Sequence, residues 1–249
     1  MTACTRTLSI YAREARAQLL ATMRQPQFLL PTLILPVMFY ALFGVAFARG
    51  RAEPAHWLLA TYAVFAALGP GMFGFGAGVA AERESGQLEL KRASPMPNGA
   101  YVAGKLAAGM ALSALALLPI YAVALAVGVS MPAWRWAAVL ALGSASAAPF
   151  GLIGLNLGLR LSAQGAVAAA NLLFMAFGML GGLWIPLSQL PPWMTRLAWM
   201  LPSFHLGQLS LGLAGVLPPT DVAAHLGILS GVCIIAVVGA WSAWRREEA

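Results

Sequence analysis

A chain of 249 residues that is 60% hydrophobic and 9% charged cannot cover itself with a water-soluble surface, since soluble domains carry about a quarter charged residues. Its charges fall in a few clusters separated by charge-free runs of about 20 residues or more, the length that crosses a bilayer as a helix. Those runs lack period-two alternation, which excludes a barrel, and the net charge of +7 fits topology and anionic headgroups rather than nucleic acid.

Residues 5–25 set Leu8, Ala12, Ala15, Leu19 and Met23 at helical spacing, with Arg6, Arg13, Arg16 and Arg24 beside that stripe. This pattern predicts a helix lying in the membrane interface, with a polar extension of the first span as its alternative. The arginine-studded stretch ahead of the first apolar run is unlike a cleavable signal peptide. Charge-free runs then cover 28–48, 57–81, 106–129, 136–159, 161–185 and 222–244. They predict an all-α polytopic protein, a single domain over 1–249 with six spans.

A seventh run, 197–217, is long enough to cross but contains Pro202, Ser203, His205 and Gln208. Charge decides against it. With six spans and the N-terminus inside, Arg6, Arg13, Arg16, Arg24, Arg83, Lys91, Arg92, Lys105, Arg160, Arg245 and Arg246 are cytoplasmic, and Arg49, Arg51, Arg135 and Arg196 are outside. A seventh span would carry Arg245 and Arg246 outward, against the positive-inside rule. Residues 186–221 are therefore expected on the outer face as a re-entrant or interfacial helical pair, and both termini in the cytoplasm.

Within the spans, Gly74 and Gly78, Gly154 and Gly158, and Gly178 and Gly182 recur at four-residue spacing, which suits close helix approach either within the bundle or at a dimer seam. Pro31, Pro36, Pro70, Pro119 and Pro149 are expected to bend or open helices. Cys4 and Cys233 fall at different depths and imply no disulfide framework. All eight carboxylates, Glu14, Glu53, Glu82, Glu84, Glu89, Asp221, Glu247 and Glu248, lie outside the span cores, which argues against ion-coupled transport. His56, His205 and His225 are scattered in sequence, so no metal site is expected.

Two motif matches carry no chemistry. Gly99, Gly104 and Lys105 match G-x-x-x-x-G-K, but Leu106 stands where the magnesium-holding Ser or Thr belongs and no strand precedes. Lys105 reads instead as a cytoplasmic charge anchor. Gly76, Gly78 and Ala81 imitate a dinucleotide fingerprint inside an apolar run.

The informative segment is 81–105, AERESGQLELKRASPMPNGAYVAGK. Mixed charge surrounds Leu88 and Leu90 before Ser94, Pro95, Met96, Pro97 and Asn98 stop the helix. A short amphipathic helix offered to a partner fits this pattern, and so does a solvated loop. Glu82-Arg83-Glu84-x-Gly86-x-Leu88-Glu89, then Ala93-Ser94-Pro95-Met96-Pro97 and Gly104-Lys105, resembles the first cytoplasmic loop of the type-2 ATP-binding-cassette exporter permeases. Gly182, Pro186, Leu190-Pro191 and Leu201-Pro202 are similar to that family's pattern before its last span. Gln87 departs from the Thr common after the loop glycine.

The resemblance implies a permease without nucleotide chemistry of its own. Its coupling loop, 82–98, would dock a short helix into a groove of a cytoplasmic ATPase subunit, which holds ATP and magnesium. The contact falls to Glu82, Arg83, Glu84, Gly86, Leu88, Glu89 and Leu90. The further implied partners are a second permease copy or paralogue and membrane lipid; the place is the cell inner membrane, and the cargo an amphipathic or hydrophobic substrate moved outward. Trp184, Trp193, Trp199 and Phe204 are candidates for lining an outer exit, or else form an interfacial aromatic belt. Two other classes stand beside this reading. One is an intramembrane enzyme using Glu82 and Glu84, and the other a non-transporting scaffold subunit.

Overall fold

Backbone amides in so apolar a chain find their partners inside helices, and the computed structural model, which describes residues 3–46, 52–94, 96–218 and 221–246, is helical with no strand among them. Arg49, Arg51, Pro95, Glu247 and Glu248 lie outside the described residues, as do the side chains of Cys4, Arg6 and Arg246.

Helix α1 (Ala3–Met23) ends in a turn at Arg24 and Gln25, and α2 (Pro26–Tyr40) begins afresh on Pro26. The N-terminal helix is thus a separate element and not an extension of the first span. Helix α2 runs on into a π-helical turn, Ala41–Ala46. Helix α3 (Ala52–Gly71), a π-helical segment Met72–Ala77 and α4 (Gly78–Glu84) form one continuous rod. Pro70 has no N–H for the Ala66 carbonyl, and the ladder shifts to π geometry two residues later. A left-handed Gly86 (φ +73°) separates α4 from α5 (Gln87–Ala93). Then come α6 (Asn98–Ala126), α7 (Ala133–Ala145) and α8 (Ala147–Arg160). The last two are one rod broken at Ser146, where Pro149 cannot bond Ala145.

Among the described residues five stretches are long and apolar enough to cross a membrane: Pro26–Val45, Ala52–Glu84, Gly99–Ala126, Ala133–Arg160 and Val222–Arg245. The sixth expected span is shorter than its charge-free run. Helix α9 occupies Ala163–Met179, about 26 Å at 1.5 Å per residue. It stops because Gly182 adopts φ +71°, so that the N–H groups of Leu183 and Trp184 both turn back onto the Gly178 carbonyl. The described residues of 186–221 hold a 3-10 turn, Leu187–Gln189, and two short α-helices, α10 (Pro192–Ala198) and α11 (Pro202–Ala214), before α12 (Val222–Arg246). Neither short helix spans a core of about 30 Å.

The α3 rod is the axis: 83% of its most apolar window is buried, against 17% for Pro26–Val45 and for α12. A helix apolar on every side belongs in the middle, and Ala60, Ala63, Ala66 and Ala67 keep it thin enough to be surrounded. Glycines set the closest crossing, where α8 lies backbone to backbone on the π segment. A β-carbon on Gly154 would sit 2.7 Å from the Gly71 carbonyl oxygen, and one on Gly158 2.7 Å from that of Gly76. This pair serves packing within the chain. Gly74 and Gly78 have nothing closer than 3.9 and 3.6 Å. Polar side chains join the rods across lipid-like surroundings: Ser210 Oγ donates to the Ala60 carbonyl at 2.6 Å, Ser144 Oγ to Met110 at 2.7 Å, and Asn156 Nδ2 to Ala236 at 2.8 Å.

Candidate functional site: the charged loop and its braces

The loop closes through local chemistry. The Ser85 N–H returns to the Ala81 carbonyl and Gly86 N–H to Arg83, ending α4. Left-handed Gly86 reverses the chain at a φ that costs other residues about 1–2 kcal/mol. Helix α5 follows for two turns, closed by Ser94 Oγ donating to the Lys91 carbonyl at 2.6 Å. An amphipathic helix is thus what the segment forms.

Its two leucines face opposite ways. Leu88 is 1% exposed and packs with Phe75, Val79, Tyr101, Leu155 and Leu159, whereas Leu90 is 74% exposed. Leu90, flanked by exposed Gln87 and Glu89, is the large apolar side chain that α5 presents outward. Leu88 roots α5 in the bundle.

The three charged residues before the glycine, Glu82, Arg83 and exposed Glu84, also bond to the bundle. Glu82 takes a salt bridge from Lys105 Nζ at 2.7 Å on one oxygen and a hydrogen bond from the Tyr101 hydroxyl at 2.8 Å on the other. Lys91 lies 4.0 Å from Glu82 and donates to Glu14 of α1 at 3.1 Å, and Gln18 donates to the same Glu14 oxygen at 2.7 Å. Arg83 Nη2 donates to the Leu161 carbonyl at 2.6 Å. Glu84 accepts the Ala163 N–H at 2.8 Å, a carboxylate on the positive end of α9. Arg92 stacks 4.0 Å over the Trp244 ring of α12. The loop is therefore braced to α1, α6, α9 and α12 at one end of the bundle.

The G-x-x-x-x-G-K match forms the opening turns of α6 and not a phosphate-binding loop. Gly104 lets α1 approach, since a β-carbon there would stand 2.8 Å from Glu14 Cγ. Lys105 is 8% exposed, so it is an internal ion-pair partner and not a solvated anchor. Beside this network a cleft of about 970 Å³ runs between α1, α2, the π segment and α6, with Glu14, Gln18 and Gln25 on its walls together with Phe28 and Phe73.

The four aromatics do not form one surface. Trp184 is wedged among Phe39, Phe65 and Phe174, with ring centroids 5.6–6.4 Å away, and Gly178 makes room for it, a β-carbon there falling 2.6 Å from the indole. Phe204 is buried against Trp199, 5.2 Å between centroids, while Trp193 and Trp199 are exposed.

Sequence spacing missed a histidine pair. His205 of α11 and His225 of α12 meet at 2.7 Å between their Nδ1 atoms, both buried. Nε2 of His205 faces the Trp199 carbonyl at 2.9 Å; a carbonyl only accepts, so Nε2 carries the proton and Nδ1 accepts from His225. Two histidines in consecutive apolar runs, His205 within 197–217 and His225 near the start of 222–244, were the available signal. Among the described residues no three His, Cys, Asp or Glu side chains gather as metal ligands.

A rod-built helical bundle with several membrane-length helices and a braced, charged loop is the architecture of a multi-pass membrane protein. Residues 14–213 match the family model for the ABC-2 type transporter; the chain belongs to that family. It is also 26% identical over 207 residues, 80% of this chain and 83% of the other, to a Bacillus subtilis (strain 168) protein named "Putative transport permease YvfS".

Proposed function

We propose that this chain is the membrane half of an ATP-driven exporter, pairing with a second permease copy and taking its energy from a separate cytoplasmic ATPase that holds ATP and magnesium. The observation that carries the reading is α5: a two-turn helix that offers Leu90, Glu89 and Gln87 outward while its other face is tied to four different helices. A push on its exposed side would reach α1 through the Lys91–Glu14 ion pair, α12 through Arg92 on Trp244, and α6 and α8 through Leu88.

In this reading α9 with the turn after it is the sixth span, α10 and α11 re-enter from the outer face, and α1 lies along the inner surface with both termini in the cytoplasm. The positive-inside count supports that orientation. The cleft beside the loop joins carboxamides and ion pairs to phenylalanines, which suits an amphipathic substrate, and exposed Trp193 and Trp199 are the aromatics placed to line an exit. Both oxygens of Glu82 are engaged by Lys105 and Tyr101 and Glu84 caps α9, so the pair is built for bracing in preference to the acid–base work of an intramembrane enzyme.

The test is copurification with a soluble ATPase bearing a complete phosphate-binding loop, followed by substrate-stimulated ATP hydrolysis in vesicles. Copurification lost in Leu90→Asp but retained in wild type supports the assignment. Equal copurification of both, or transport without any ATPase, overturns it.

A further inference from the structure

At the end of the bundle that carries α5, the cleft of about 970 Å³ separates two helix faces built of small residues. Ala17 and Ala21 of α1 stand on one side, and Gly74, Ala77, Gly78 and Ala81 of the α3–α4 rod on the other. Such faces ordinarily pack together in lipid. Here they stand apart, because α1 is seated on α6 instead, at Gly104, where a β-carbon would lie 2.8 Å from Glu14 Cγ. The cleft is a standing gap with open walls.

Its polar part carries no net charge. The ionisable residues on its walls are Glu14, Glu82, Lys91 and Lys105, and they neutralise one another, with Lys105 2.7 Å from Glu82 and Lys91 3.1 Å from Glu14. Arg13, Arg16 and Arg24 are exposed and line none of it. A charged headgroup entering there would lose water without gaining a counter-ion. An uncharged polar one needs only donors and acceptors, and the carboxamides of Gln18, Gln25, Gln27 and Gln87 offer both.

The cleft continues past its phenylalanines. Gln27, Phe28 and Phe73 also border a second cavity of about 280 Å³ that runs between α2 and α9 along Pro31, Leu35, Phe65 and Phe174, with Thr32 and Asn171 as its polar points. We propose that the two cavities together bind an amphiphile whose polar end is uncharged and rich in hydroxyl groups, head in the cleft beside α5 and alkyl tail in the apolar continuation. That this molecule is the transported cargo rests on the permease reading; that it binds here does not.

The experiment is photolabelling of the full chain in phosphatidylcholine vesicles, whose zwitterionic surface concentrates neither sign of charge. Three dodecyl probes share a diazirine next to the headgroup and differ in that headgroup: glucosyl, trimethylammonium or sulfate. The glucosyl probe should label residues 14–28 and 73–81 and half-saturate at about a tenth of the concentration of either charged probe, the discrimination that one or two net hydrogen bonds give. Gly78→Leu fills the cleft from the rod and Ala21→Trp, at an exposed position, from α1; each should abolish that labelling. Gln25→Lys adds an uncompensated cation at another exposed position and should bring the sulfate probe level with the glucosyl one. Equal half-saturation of the three probes by wild type overturns the proposal, and so does labelling of these segments that survives both filling variants. None of the three positions lies on the outward face of α5, so copurification with the ATPase should persist in every variant. Its absence in wild type overturns the permease reading and leaves the labelling result standing, whereas loss of the glucosyl preference with copurification intact overturns this site alone.

Discussion

Glu82 and Lys105 stand 23 positions apart in the chain and 2.7 Å apart in space, with Lys105 almost wholly buried. Removing one partner of such a pair leaves the other charge uncompensated, at a cost of about 3–5 kcal/mol. Lys105→Met should therefore lower the thermal midpoint sharply, and adding Glu82→Gln should recover much of the loss; a fluorescence-detected melting series of the single and double variants measures this. The leucines of α5 give a second contrast. Leu88→Asp buries a carboxylate in the cluster around Tyr101, which carries a penalty of several kcal/mol, so it should fail in stability before coupling. Leu90→Asp changes an exposed side chain and should melt like wild type while losing most ATPase-coupled transport, a split that paired melting and vesicle assays would reveal.

At the scale of elements, the crossing of α8 over the π segment is the least forgiving contact. Gly158→Ala brings a methyl to 2.7 Å of two carbonyl oxygens and 2.8 Å of Val79 Cβ, an overpacking expected to cost about 1–3 kcal/mol. Gly231→Ala on α12 meets nothing within 4 Å and should be neutral or slightly stabilising through helix propensity; thermal midpoints of the two variants provide the comparison. The histidine pair links α11 to α12 in the same structural sense. His225→Ala leaves Nδ1 of buried His205 without its donor, a loss of about 1–3 kcal/mol, and proteolysis of residues 186–221 should quicken accordingly.

For the whole molecule the decisive quantity is which end faces the cytoplasm. A single cysteine at Ser94, introduced into a Cys4→Ser, Cys233→Ala background, should react with a membrane-impermeant maleimide only in inverted vesicles, and one at Ser188 only in right-side-out cells. Labelling of Ser94 from outside would remove the loop from any cytoplasmic ATPase and with it the exporter mechanism.

Composition and run length by themselves settled that lipid is the solvent, that the chain is helical and that 81–105 is its one long charged connection, because hydrocarbon tolerates neither scattered charge nor open backbone. The loop residues could also be read in the sequence as a set, though not as individuals. Periodicity over seven residues does not tell Leu88 from Leu90, and no local rule pairs Glu82 with Lys105 or His205 with His225. Those assignments depend on where α1, α6, α9 and α12 end relative to α5. Likewise the run 161–185 read as one span because it lacks charge, yet the left-handed Gly182 and the room Gly178 leaves for Trp184 stop the helix at Met179. Solvent choice is a sum over the chain and survives in the sequence; which side chain meets which neighbour is a product of packing, and only the folded bundle decides it.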